Sequence, residues 1–286
     1  MSTGHGSAVQ ELDLRVAESA GYRVGMDATS RFTEVVGLPE AAIPLDEAAL
    51  LVAAHARPDL DVATEQARLD RLAAGVAAPT LDAMRAYLFS ELHFSGDHDD
   101  YYDPRNSYLD QVVARRRGIP LTLSLLLLEV GRRIGVPLAG VAMPGHFLVR
   151  DKVDPEVFVD AFDGGALLDR AACRRRFHEL RGPEAPFDPS YLEPVGKRAM
   201  VARMLANLDA IASARGDRMM LEWVVRLEAS LPGAPASQHR RLAVVLAASA
   251  RFGEAAEVLE RLADADPVAA SADDAATARR LRARLN

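Results

Sequence analysis

RRGIPLTLSLLLLEVGRRIGVPLAGVAMPGHFLVRDKVDPEVFVDAFDGG, residues 116–165, is the stretch on which the fold turns. Its first half is a helix with punctuation at both ends. Gly118 closes what precedes it, Pro120 stands in a first helical turn, where proline is tolerated, and Gly135 with Pro137 stops it. Between them, residues 121–134 are apolar on nearly every face until Arg132, so this helix must be covered on most sides. The second half changes period. Residues 138–142, 147–150 and 157–162 read as short strands separated by MPG and KVDPE turns. The stretch predicts a small antiparallel sheet behind a buried helix.

Outward from this centre the pattern is helical. Upstream, EAALLVAAHA (47–56) follows Pro44 and Asp46, and VATEQARLDRLAAGVAA (62–78) follows Asp59 and Asp61, each with apolar residues at helical spacing. A third helix starts after Pro79, runs through Leu81, Met84, Tyr87, Leu88 and Leu92, and breaks at SGDHDDYYDPRN (95–106). Ser107 and Asp110 have the spacing of a capping box, opening a short helix over Leu109, Val112 and Val113. Downstream, residues 167–180 return to helix, and RGPEAPFDPSYLEP (181–194), with four prolines, reads as a linker.

Beyond it the chain is predicted to be wholly helical and weakly repetitive. Leu208, Ile211, Met220, Val224, Leu227 and Pro232 recur 35 residues on as Ala243, Leu246, Ala255, Leu259, Leu262 and Pro267, followed by a terminal helix over 272–285. That period resembles tetratricopeptide repeats, and so few repeats need a neighbour to pack on. The expected organisation is an arm and lead-in over 1–39, a core domain over 40–182 with a helical N-terminal part, a Pro-rich linker over 183–195 and a helical domain over 196–286. Residues 1–15 are polar, carry Glu11 and Asp13, and do not read as a signal peptide.

Composition narrows the function. The 286 residues are 49% hydrophobic with 6% aromatics, which suits an Ala/Leu-rich helical core. Net charge is −7, with 14 basic against 11 acidic residues from Pro194 onward, leaving +3 there and −10 before it. An acidic chain of this kind is not expected to bind nucleic acid. Its longest apolar run is far short of the ~20 residues a membrane span needs, so no membrane partner is expected. A single cysteine, Cys173, permits no internal disulfide and suits a reducing cytoplasm. GxxxxGK[ST] and GxGxxG are absent, and so are HExxH and EF-hand patterns, so neither metal nor cofactor is expected. His93 and His98 flank Asp97, Asp99, Asp100 and Asp103, which reads as a solvated loop.

In order and spacing, residues 116–165 resemble the core of the transglutaminase-like superfamily, a branch of the papain-like thiol enzymes. There a Gly-x-Cys unit opens a buried helix ending in Arg-x-x-Gly-Ile-Pro, followed by a strand with Gly-His and a strand with Asp. Here Gly118-Ile119-Pro120, Arg132 to Pro137, Gly145-His146 and Val159-Asp160 match in turn. YYDPRNSYLDQVV (101–113), the GIP motif, PGHFLV (144–149) and the helical C-terminus resemble the bacterial SirB family, transglutaminase-like proteins with a tetratricopeptide tail. The resemblance implies an α+β fold, mostly helical, with a papain/transglutaminase-like core and an all-α tail.

It also implies a defective site. A helix N-terminus stabilises a thiolate, and a His held by Asp exchanges its proton. Pro120 stands where the superfamily has its Cys, and it lacks even a backbone N–H. His146 and Asp160 remain as a vestigial dyad. The resemblance therefore points to a non-catalytic protein that works through a protein or peptide partner. The enzyme alternative is a hydrolase or acyl transferase in which Ser124 or Thr122 serves as nucleophile with His146 and Asp160; capping is the other role of those hydroxyls. Cys173 has Arg174–Arg176 and His178 nearby in sequence, which would lower its pKa if they faced it. Arg105 and Asn106 are candidates for the rim of a peptide cleft, their other roles being an ion pair and a helix cap.

Overall fold

A computed structural model describes residues 28–265 and 271–285. Residues 1–27 of the expected arm and lead-in, and Pro267 of the repeat, lie outside the described residues; residues 28–37 of that lead-in are helical. The chain opens with α1 (Ala28–Gly37), α2 (Leu45–Ala56) and α3 (Val62–Ala74), the last capped by Asp61, which accepts from Ala63 N at 3.2 Å. Thr80 caps α4 (Leu81–Arg85) in the same manner, and the helix runs on through a π-helical turn at Ala86–Glu91.

The region entering the buried helix departs from expectation in two places. Ser107 and Asp110 form no capping box: Pro104–Ser107 is a 3-10 turn capped by Asp103, and α5 (Leu109–Arg115) starts behind Tyr108 with no side-chain cap. Asp110 bonds to Arg57 of the neighbouring α2 region instead, leaving the buried Ser107 hydroxyl without a partner among the described residues. Gly118 is not the helix terminator either. Arg116 takes the left-handed conformation that ends α5, and Arg117–Gly118 (β2) pairs parallel with Ser95–Gly96 (β1).

α6 (Pro120–Ile134) is buried along most of its length, as its composition requires, and Gly135 ends it with φ +80°, a conformation that glycine adopts without strain. The chain then forms β3 (Leu138–Val141), β4 (Leu148–Asp151), β5 (Phe158–Asp160) and β6 (Ala166–Leu168), antiparallel throughout and in that order across the sheet. β6 corrects the expected start of the next helix. Asp169 accepts from Ala172 N at 2.6 Å, so α7 spans Arg170–Arg181 and the residues before it are free to pair with β5. The four-proline stretch that follows lies along β3, where Val195 N donates to Gly140 O.

Five α-helices follow among the described residues: α8 (Lys197–Arg215), α9 (Arg218–Ser230), α10 (Ala236–Ala248), α11 (Phe252–Ala265) and α12 (Ala272–Arg282). The described apolar positions of the 35-residue repeat are all buried, prolines aside. They serve two cores. Met200, Met204, Leu205 and Leu208 of α8 join Leu125, Leu127 and Val130 of α6 in the larger one, whereas Leu242, Leu246, Ala255 and Leu259 form a smaller one with Ala278. Glu40 fastens α8 to the N-terminal helices by accepting from Arg198 N at 3.0 Å, and Lys197 Nζ donates to Ala41 O and Ile43 O. The fold class is α+β, with a helical tail.

Candidate functional site

Pro120 is the first residue of α6, behind Ile119. Thr122, one of the two hydroxyls near it, is committed to structure: Oγ1 donates to Asn106 O at 2.6 Å and accepts from Ile119 N at 3.3 Å. Ser124 is fully buried and its Oγ has no hydrogen-bond partner among the described residues. Neither hydroxyl bonds to His146.

His146 and Asp160 do meet. A turn closed by His146 N on Met143 O delivers the histidine to the start of β4, and the β4–β5 register, with Val149 opposite Val159, brings the end of β5 beside it. His146 Nε2 lies 2.8 Å from Asp160 Oδ2, and both side chains are buried. The second oxygen of Asp160 accepts from Phe162 N at 3.1 Å and Asp163 N at 3.2 Å. Arg176 of α7 stands 3.7 Å from Oδ2 and is anchored by Asp163 at 2.6 Å. Burial alone would raise the Asp160 carboxyl, but the bond and charge of His146, the Arg176 guanidinium and the Asp163 N–H hold it below the ordinary carboxylate range. An ionised carboxylate only accepts, so Nε2 carries a proton.

A glycine links this pair to the start of α6. Gly96 N donates to Phe162 O at 3.1 Å while Asp97 N donates to Gly118 O at 3.0 Å, so β1 lies between the two. A Cβ on Gly96 would stand 2.6 Å from the Phe162 ring, which only glycine avoids. Phe162 itself meets His146 edge-on at 6.1 Å and Tyr101 at 5.9 Å, and Tyr101 meets the well-exposed Tyr102 at 5.3 Å. A row of rings thus runs from the buried histidine to the surface.

The remaining candidates separate. Cys173 is buried among Phe158, Phe177 and Leu192; burial and the charges of Asp160 and Asp169 push its thiol up to about 12. Its arginine neighbours do not activate it, because Arg176 faces Asp163 and Arg174 faces His178. Asn106 is not on a rim: it is fully buried, donating to Asp100 O and accepting from Arg115. Arg105 is exposed and bonded to Asp103 at 2.7 Å. Half of the acidic loop is likewise structural rather than solvated, since Asp97 and Asp103 are buried beside Arg115, while Asp99 and Asp100 face solvent. Among the described residues no group of three His, Cys, Asp or Glu is arranged to hold a metal ion, and no helix is long and apolar enough to cross a membrane.

Residues 48–206 match the family described as the transglutaminase-like superfamily. The chain belongs to that superfamily. Among curated proteins it is 42% identical over 185 residues to a UPF0162 protein of Xylella fastidiosa, an alignment covering 60% of this chain and 66% of that one. A UPF0162 protein of Vibrio cholerae is 33% identical over 129 residues, 44% of this chain and 47% of the relative. Human F-box only protein 21 is 41% identical over 102 residues, 32% of this chain and 16% of that much longer one. No solved structure matches the chain. The superfamily match ends inside α8, which together with α9 closes the larger core.

Sequence reasoning missed Arg176 and Arg115, which organise the two polar clusters of this transglutaminase-like site. Their partners lie 16 and 18 residues away along the chain, at Asp160 and Asp97, and no local spacing marks them.

Proposed function

We propose that this transglutaminase-like chain is non-catalytic and acts through a protein or peptide partner. The observation that carries the reading is Pro120 at the first position of α6, the place to which the superfamily resemblance assigns the nucleophile. Thr122 Oγ1 is spent on backbone groups and Ser124 Oγ is sealed away, so the hydrolase alternative finds no hydroxyl in reach of His146. His146 and Asp160 then orient a ring at the inner end of an aromatic row rather than activating a nucleophile. The same reading takes the chain as a SirB-type protein of the cytoplasm whose tetratricopeptide-like tail, from residue 196, packs on the core. The 102-residue likeness to a small part of F-box only protein 21 supports a module that serves within larger assemblies.

Restoring the thiol tests this. In a Cys173→Ser background, Pro120→Cys puts a sulfur at a helix N-terminus; with residue 120 in the nucleophile position facing His146, its alkylation should titrate well below the ~8.5 of an ordinary thiol. Adding His146→Ala should return it toward that value. An unperturbed thiol in an intact fold would show that Pro120 is not in the nucleophile position. Hydrolysis of an activated acyl ester by the natural chain, abolished by Ser124→Ala or Thr122→Val together with His146→Ala, would overturn the non-catalytic reading.

A further inference from the structure

A groove of about 440 Å³ opens in the tail between α9, α10 and α11, floored by Leu242, Val258 and Leu262, with Thr29 of α1 in its wall. Its charge is one-sided. Arg226, His239 and Arg261 line it, and no carboxylate does among the described residues. Arg226 is met by Glu222 at 3.5 Å and Glu254 at 3.2 Å, neither of which lines the groove. Arg261 has only Glu257, at 3.7 Å on an open surface, and His239 Nδ1 lies 3.3 Å from Pro235 O with no carboxylate paired to it among the described residues. An apolar floor with a basic rim suits a segment that is aliphatic on one side and acidic on the other.

The chain carries such a segment, joined to the groove itself. Thr29 Oγ1 lies 3.0 Å from His55 Nε2, and Phe32, one turn on, is buried in the larger core, so the point where residues 1–27 join α1 is fixed in the groove wall. Residues 11–18, ELDLRVAE, contain the two leucines that precede α1. Leu12, Leu14 and Val16 alternate with Asp13 and Arg15, so an extended backbone there puts three aliphatic side chains on one side. Glu11, Asp13 and Glu18 stand against a single arginine. The 17 positions from Leu12 to Thr29 reach up to roughly 55 Å when extended. A tether of that kind holds the segment beside the groove at an effective concentration on the order of millimolar.

We propose that residues 11–18 dock in this groove of their own chain, with Leu12, Leu14 and Val16 on the floor and the carboxylates at Arg261 and His239. The inference goes beyond the partner-binding reading and does not depend on it. The same segment of a second copy fits the chemistry equally but lacks the tether, so docking within one chain wins.

Hydrogen exchange of the full chain, read by mass spectrometry, is the test. Amides of residues 11–18 should exchange at least about tenfold more slowly than in a chain carrying Leu12→Asp and Leu14→Asp. Arg261→Glu should lower that protection, and adding Glu11→Arg and Asp13→Arg should restore it, a recovery that no misfolded chain can give. A fluorescein-labelled peptide of residues 8–20 should bind the Leu12→Asp, Leu14→Asp chain at least about tenfold more tightly than the natural one, whose groove is filled. Exchange of residues 11–18 at the same rate in the natural chain and the variant would overturn the proposal. Protection that falls on dilution together with a shift from dimer to monomer in light scattering would also overturn it, placing the segment on a second copy. Equal binding of the peptide to both chains would show that the groove is not occupied from within.

Discussion

Arginine meets carboxylate in two different settings in this chain. At the end of α6, Arg133 is only 10% exposed and bonds Asp46 at 2.5 Å and Glu129 at 2.6 Å, both carboxylates 3% exposed. In the tail, Arg240 is 38% exposed where it pairs at 2.9 Å with Asp274, 7% exposed, and Arg282 reaches Glu260 across an open surface. The first cluster joins α2, α3 and α6 beneath the site; the second decorates a small core of alanines and leucines. Buried ion pairs fix one arrangement because every member must be matched, whereas surface pairs leave the stacking of apolar residues to set the structure.

The comparison breaks most visibly at Arg133. Arg133→Ala leaves the buried Asp46 and Glu129 to Arg132, which is 52% exposed, and is expected to cost about 3 kcal/mol, the low end for a broken buried pair, measured by urea unfolding. A loss below ~1 kcal/mol would place this cluster in the same class as the surface pairs.

Asp160→Asn should fall between the extremes, at ~1–3 kcal/mol, because the amide keeps the shape but loses the charge that His146 and Arg176 face. The effect has a pH signature. A carboxyl held below its ordinary value in the folded state stabilises the protein above the unfolded value of ~3.9, and that contribution disappears as pH falls through the folded value. The gap between wild type and variant should therefore close in acid; a constant gap would mean that packing, not charge, is what the substitution removes.

The smallest effect is expected in the tail. The bonds from Arg240, outweighing burial, hold Asp274 down to about 2. Arg240→Ala should still cost at most ~1 kcal/mol, since the guanidinium side is open to solvent and Ser271 N goes on bonding the Asp274 carboxylate at 2.8 Å. Its contribution should be complete above pH ~4 and vanish toward pH ~2, as thermal unfolding at a series of pH values would record.

How much was legible in the sequence follows the same division between local and distant interactions. α6 was readable because Pro120 and Gly135 mark its ends and eleven of its residues are buried. β6 was not, because Ala166–Leu168 are good helix formers and only their pairing with β5 makes them a strand; the Asp169 cap was the available warning. The Ser107–Asp110 spacing misled because tertiary partners, Arg57 for Asp110 and Thr122 for Asn106 O, outcompeted a local cap. His146 and Asp160 were found through the order of motifs in a family resemblance. The rings and arginines around them were not, because they come from four separate elements and share no period.

The cap that Glu40 places on α8 sets an order of events during synthesis. Residues 40 and 198 are 158 positions apart, so at ~5–20 residues per second the carboxylate waits about 8–30 s for the helix it will cap. Throughout that interval the faces of α2 and α6 that receive Met200, Met204 and Leu205 have nothing to pack on. The part of the chain that carries the superfamily's site is therefore made well before the helices that close its core, and a ribosome stalled before α8 holds a nascent chain with its main core open to water.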